Sequence, residues 1–416
     1  MRVLFITNWF PPSYTGGAEV ATYHTCRALI RLGFDCSVLV INNRAPEIVD
    51  EWYELDGIPV HRVVYRRTPR THLTDVFDWR IYRTVKSNLT RTAPDLVHVQ
   101  NVSGSTLAPY VACRRLNLPV VNTLHDLGLL CPNNMLYRAD GSFCDPVKAS
   151  DCRHCFRRYD YWGAIPYRRR VFAGLTSNVQ RFISPSQALI ERHVEAGYQR
   201  ERFRLVRLGF EDRPSHSKQT DQTDAIPLTS GRPTLVFAGG GVQIKGAGVL
   251  LRALPALAKA VDGIRLIVAG GGEESILAEF RKYQPTVQVL GQMPFGAMRS
   301  LFAQADLTLV PSVWHENSPV VIYESFQSGT PVVGTELGGV PELVTHGQTG
   351  YLFPVGDAQA LVDCVRSHFS LPARERRLMR LRCVQEVRTR FSLEQHLTAL
   401  QTVYREVLDG KCESST

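Results

Sequence analysis

Trp314-His315-Glu316-Asn317-Ser318-Pro319-Val320-Val321-Ile322-Tyr323-Glu324 sets two carboxylates eight positions apart, with a Ser-Pro helix start between them. Ser318 is a good N-cap, and Pro319 at the first helical position gives up an N–H that would lack a partner anyway. A helix is therefore expected from about Pro319, with the Val320 and Val321 amides facing outward at its positive end. A diphosphate is the natural occupant of such an end. Glu316 falls in the loop before the helix. Glu324 lies five residues past Pro319, roughly 7.5 Å along the axis. That separation lets one carboxylate reach a sugar and the other a ribose hydroxyl. An ordinary amphipathic helix with two solvated glutamates is the plainer reading of the same residues.

Short apolar runs flank this stretch, Leu307 to Val310 before it and Pro331 to Gly334 after it. Strand, helix, strand is the unit of a parallel α/β sheet. The same rhythm extends outward through Thr234 to Ala238, Arg265 to Ala269, Val287 to Leu290 and Gly350 to Phe353. The first half repeats it with Val3 to Ile6, Cys36 to Ile41, Val60 to Val64, Leu96 to Val99, Val120 to Leu124 and Phe182 to Ser184. A helix is expected from about Gly17 to Leu32, stopped by Gly33. Between the halves the pattern gives way to Pro, Ser, Asp, Gln and Thr, which reads as a linker. The expected fold is α/β: two doubly wound Rossmann-like domains, residues 1–210 and 232–391, joined by a linker at 211–231. A last helix, 392–411, either closes the second domain or crosses back onto the first.

The chain has 416 residues, 44% of them hydrophobic, enough for two cores. With 48 Lys and Arg against 39 Asp and Glu, the net charge is +9. That favours acidic partners such as phosphorylated ligands or anionic lipid surfaces. The N-terminal apolar run is too short for a signal peptide, and no run approaches the ~20 residues of a membrane span. Ten cysteines without such a signal suggest thiols in a reducing cytoplasm.

Open parallel sheets bind ligands beyond the carboxyl ends of their strands, so a cleft between two such sheets is the expected site. Glycine-rich turns follow strands at Gly16-Gly17, Gly239-Gly240-Gly241 with Lys245, and Gly270-Gly271-Gly272. None is a dinucleotide fingerprint or a P-loop. Each could be turn chemistry; together they suggest backbone amides approaching phosphate.

From Met1 to the final helix the chain resembles the retaining glycosyltransferases of family 4, which have the GT-B fold. The resemblance rests on Glu316 through Glu324 as an E-x7-E motif, and on Gly329-Thr330-Pro331-Val332-Val333, Gly338-Gly339-Val340-Pro341-Glu342 and Gly347-Gln348-Thr349-Gly350. In the first half Gly16-Gly17-Ala18-Glu19 and His125-Asp126 fit it too. It implies that Gly16 and Gly17 approach the donor's distal phosphate and that His125 faces the reacting sugar. Lys245 would neutralise the diphosphate, with the helix start at Ser318, Pro319 and Val320 opposite. Met293 would contact the base, Glu316 hydroxyls of the transferred sugar, and Glu324 the ribose. His125, Glu316 and Lys245 are then the catalytic candidates. The family's usual arginine five positions before the lysine is Gly240 here, with Arg207 as a candidate substitute cation, and its Pro-Asn-Gly is Arg207-Leu208-Gly209.

Breaking a sugar–phosphate bond puts negative charge on the leaving diphosphate, and fixed donors with a cation stabilise it. No D-x-D pair stands at a strand end, so a metal-independent hexosyltransferase is expected, with no cofactor required for catalysis. Cys131, Cys144, Cys152 and Cys155, with His154 in reserve, suit a structural zinc ion or, alternatively, clustered thiols. Arg157, Arg158, Arg168, Arg169 and Arg170 interleave with Tyr159, Tyr161, Trp162 and Tyr167, and Arg62, Arg66, Arg67 and Arg70 form a second basic cluster. Both suit an anionic membrane surface or simply a solvated face.

The reading is therefore a cytoplasmic enzyme, peripheral on the inner face of the plasma membrane. It would move a sugar from a nucleotide-diphosphate sugar to a glycan or lipid-linked acceptor for cell-surface polysaccharide, with no nucleic-acid partner. The rival is a non-catalytic nucleotide-sugar or nucleic-acid binding protein on the same fold.

Overall fold

The computed structural model describes residues 1–12, 16–43, 47–66, 76–100, 105–138, 140–144, 155, 165–211, 231–293 and 297–413. They form two compact units, Met1–Gly209 with Glu394–Thr416, and Phe210–Leu393. Most of the expected linker, 212–230, lies outside the described residues.

The first unit holds β1 (Arg2–Thr7), β2 (Asp35–Asn42), β3 (Val49–Leu55), β4 (Ile58–Val64), β5 (Leu96–Val99), β6 (Val120–Thr123), β7 (Val179–Ser184) and β8 (Phe203–Leu205). Their order in one sheet is β3-β4-β2-β1-β5-β6-β7-β8, and only the β3–β4 pair is antiparallel. Helices cover both faces, so the central strands are apolar without alternation: Val3, Leu4, Phe5 and Ile6 are all buried. β3 differs. It is an edge strand with Asp50, Glu51 and Glu54 exposed, joined to β4 by Asp56-Gly57, both at positive φ, as a two-residue hairpin turn requires.

The final helix, Leu393–Glu413, is anchored in this unit from Glu394 onward. Tyr404 is fully buried, and its hydroxyl meets Nδ1 of buried His98 on β5 at 2.6 Å. Glu406 pairs with Arg181 and Arg204 of β7 and β8. Burial drives His98 well below the usual histidine range, so it sits here as a neutral ring.

The second unit carries six parallel strands, β9 (Thr234–Phe237), β10 (Arg265–Ala269), β11 (Val287–Gly291), β12 (Leu307–Val310), β13 (Val332–Thr335) and β14 (Gly350–Phe353). Their order is β11-β10-β9-β12-β13-β14. The order reverses between β9 and β12, which makes that point the topological switch where such sheets bind ligands. Leu235, Phe237, Leu266, Val268, Leu307 and Leu309 pack into a core beneath the helices Ala247–Ala260 and Ala358–Ser370. Val236, Ile267 and Ala269 turn to the opposite face against Leu301 and Phe302. Successive residues thus serve two cores, the period of a strand covered on both sides.

Candidate active site

In the second unit the turn after β9 carries Lys245, and the loop after β12 carries Glu316. Gly240 N–H donates to Ala269 O and Gly241 N–H to Gly271 O, which ties the β9 turn to the turn after β10. Val313 N–H donates to Ile244 O, which ties the same turn to the β12 loop. Gly240 has φ +53, and a Cβ there would stand 2.1 Å from Gly271 O. The site that would carry the family's usual arginine therefore has no room for any side chain.

These ties place Lys245 Nζ 2.8 Å from Glu316 Oε1. The same oxygen accepts from Ser312 Oγ at 2.7 Å and from Trp314 Nε1 at 2.9 Å. The Glu316 side chain is 6% exposed and that of Lys245 38%. The backbone of Glu316 is fixed from behind, where Gly339 N–H donates to its carbonyl at 2.7 Å. Gly338, at φ +61, lies so close that a Cβ would stand 2.4 Å from that carbonyl. The Gly-Gly of the Gly338–Glu342 motif is thus the floor under Glu316.

The helix spans Val320–Gln327 with Pro319 as its N-cap residue, one position later than expected. Ser318 makes no capping bond; its hydroxyl meets Tyr323 Oη at 2.6 Å. Tyr323 is fully buried between Phe210 and Phe391, and a buried phenol needs a partner more than a helix end open to water does. The Val320 and Val321 amides begin the helix and have no intrahelical acceptor. Glu324 lies one turn on. Burial pushes its carboxyl up to about 7, and its carboxylate accepts no hydrogen bond among the described residues. Met293, after β11, packs on the apolar cluster that Val321 also borders.

In the first unit Gly16 is the N-cap of the helix Gly17–Arg31, directly beyond β1. The Glu19 carboxylate folds back to this helix start and accepts from its own backbone amide and from that of Gly16. Burial raises the Glu19 carboxyl, and the Gly16 bond opposes the rise. His125 follows β6, half-buried, with Nε2 2.8 Å from Gln100 Oε1. Burial lowers its pKa to about 4, so the ring is neutral near pH 7. With the amide oxygen as acceptor, Nε2 carries the hydrogen and Nδ1 offers a lone pair. Asp126 accepts from Gly128 N–H and shapes the following turn.

One expectation is corrected, that of Arg168, and the other residues singled out in the sequence are placed as follows. Arg168 is buried, stacks 3.7 Å over Phe172 and donates to Gly128 O, so it supports the core rather than a surface. Arg62 pairs with Glu47 and Glu51. Arg207 donates to Pro185 O within its own unit. Arg67, Arg70, Arg157, Arg158, Tyr159, Tyr161 and Trp162 lie outside the described residues, as do Cys152 and His154. Burial raises the Cys144 thiol to about 11, with Cys131 and Cys155 near enough to add to it. Among the described residues no three His, Cys, Asp or Glu side chains are grouped to hold a metal. No helix among them is long and apolar enough to cross a membrane. In the second unit Ser312 and Trp314 donate to Glu316, and in the first Gln100 meets His125 and Glu19 lies at the Gly16 helix start; none of the four carried an assigned role in the sequence. Only Glu19 lay within a recognised motif.

Residues 15–212 match the family model Glycosyltransferase Family 4, and residues 232–370 match Glycosyl transferases group 1. The phosphatidyl-myo-inositol mannosyltransferase of Mycobacterium leprae is 30% identical over 151 residues, 35% of this chain and 40% of that protein. A glycogen synthase of Mycobacterium tuberculosis is 29% identical, with 99% of this chain and 96% of that protein aligned. Anabaena HepE, solved in complex with UDP-glucose, has a TM-score of 0.68 at 20% identity, covering 97% of this chain and 99% of that one. That likeness establishes a shared fold. With a family model on each of its two Rossmann-like units, the chain is a family 4-like glycosyltransferase of the GT-B fold.

Proposed function

We propose that the protein transfers a hexose, with retention and without a catalytic metal, from a nucleotide-diphosphate sugar to a glycan or lipid-linked acceptor of a surface polysaccharide. The observation that carries this reading is the Lys245–Glu316 pair, 2.8 Å apart at the switch point of the second sheet. Lys245 supplies a cation for the leaving diphosphate, and the Val320 and Val321 amides supply fixed donors. Glu316 accepts from hydroxyls of the transferred sugar. Glu324 accepts from the ribose, and Met293 borders the base. From the first unit, neutral His125 and the Gly17 amide lie at the carboxyl ends of β6 and β1, where such sheets present ligand-binding groups.

In the reaction the anomeric carbon–oxygen bond to the diphosphate breaks and a bond to the acceptor oxygen forms on the same face. The bonding pair leaves with the diphosphate, and the acceptor's hydroxyl proton passes to a departing phosphate oxygen. Retention requires that front-face geometry or a short-lived covalent intermediate.

A thermal-shift panel of UDP, GDP and ADP with UDP-glucose, GDP-mannose and ADP-glucose tests the reading, because a ligand selective for the folded state raises the melting temperature by mass action. UDP-glucose is included because HepE was solved with it. One base series should stabilise the protein, and its sugar form should be turned over. No shift with any of the six contradicts the reading. A shift with no turnover on any acceptor favours a non-catalytic binding protein.

A further inference from the structure

Glu316 is loaded on one side. Lys245 Nζ, Ser312 Oγ and Trp314 Nε1 all donate to Oε1, and Oε2 accepts nothing from any described residue. Trp314 also meets the other member of the ion pair, its ring lying 5.2 Å from Lys245 Nζ. One side chain therefore touches both the carboxylate and the cation, by two different edges of its chemistry.

The arrangement addresses a problem that any diphosphate ligand creates. A lysine ammonium is a compact charge on a flexible stem, and a diphosphate competes for it. If Lys245 turned away, a buried carboxylate held by nothing else would be strongly penalised. Ser312 and Trp314 leave Glu316 with two donors in that event. They also hold Oε1 inward, which fixes the direction in which Oε2 points. The indole face, negative at its centre, gives the ammonium a resting place beside the carboxylate.

Resting on the nucleotide-sugar reading above, we propose that Trp314 is a positioning residue for sugar transfer. Its N–H pins Glu316 Oε1 so that Oε2 is presented to a sugar hydroxyl, and its ring face keeps Lys245 beside the carboxylate until the diphosphate engages it. Phenylalanine at this position retains the face and loses the N–H; leucine loses both.

The test uses the full chain and measures hydrolysis of UDP-glucose, GDP-mannose and ADP-glucose without acceptor, followed by kcat and KM for whichever donor is consumed. Trp314→Phe should lower kcat about tenfold, the effect of one hydrogen bond to a charged group, with KM unchanged and the melting temperature close to wild type. Trp314→Leu should lower kcat at least as far and also raise KM, because Lys245 loses its resting place. Placed on Glu316→Ala, Trp314→Phe should cost less than about twofold, since its N–H acts through the carboxylate that this variant removes. Full activity in Trp314→Phe, or an equal loss with and without the Glu316 carboxylate, overturns the inference while leaving the family reading intact. Failure of the wild type to consume any of the three donors overturns the nucleotide-sugar reading, and this inference with it.

Discussion

Glu316 and Glu324 are the same side chain in two environments. Glu316 sits among three donors, whereas Glu324 has a partly buried carboxyl that nothing described hydrogen-bonds, and burial lifts it to about 7. The raised pKa means that the folded protein holds this proton more tightly than an unfolded chain would, so ionising Glu324 costs folding stability as pH rises from the ordinary carboxylate range through 7. Hydroxyls donating to the ionised form recover that cost. Affinity for a stabilising nucleotide sugar should therefore rise between pH 6 and pH 8, by about tenfold at most for a group titrating at 7. Titration calorimetry at the two pH values checks this, with Glu324→Gln expected to give a flat profile. An equal rise in Glu324→Gln would assign the pH dependence to another group. Both glutamates were legible as candidates because their spacing and the Ser-Pro between them are local. Gln100 was not, because it meets His125 from a separate loop, and Ser312 and Trp314 were not, because although they lie four and two residues from Glu316 the sequence does not show how the loop folds their donors onto its carboxylate.

The loops and helix starts obey two kinds of rule. Buried parallel strands announce themselves as short apolar runs ended by a polar residue, proline or glycine, and β1, β5, β9, β12 and β14 could be read almost residue for residue. β3 escaped because an edge strand alternates charges with apolar residues and resembles a loop, although its Asp56-Gly57 turn was a readable hairpin signal. The Ser318 cap was misplaced for a tertiary reason, the demand of buried Tyr323 for a partner. The β9 turn shows the limit of reading by analogy. Its glycines interlock with the β10 turn, so Gly240 is not simply an arginine lost. Gly240→Arg should not strengthen diphosphate binding; it should cost about 2 kcal/mol or more by forcing a side chain into the 2.1 Å approach and a positive φ. Chemical denaturation of the variant measures this directly. A variant as stable as wild type would show that the turn opens more readily than its hydrogen bonds imply.

At the scale of the whole molecule, each unit presents its candidate residues from the carboxyl ends of its parallel strands: Gly17 and His125 in the first, Lys245 and Glu316 in the second. The two-unit α/β plan was readable from the repeated strand–helix rhythm. That the last helix returns to the first unit was not, since it depends on pairings such as His98 with Tyr404, 306 residues apart. The central claim is local to the second unit: a diphosphate binds where Lys245 meets the helix beginning at Val320. Titration calorimetry with whichever of UDP, GDP and ADP stabilises the wild type most, repeated on a folded Lys245→Gln variant, tests it most directly. The account predicts that the Kd rises at least about tenfold, as expected for losing a charged hydrogen bond; an unchanged Kd would contradict it.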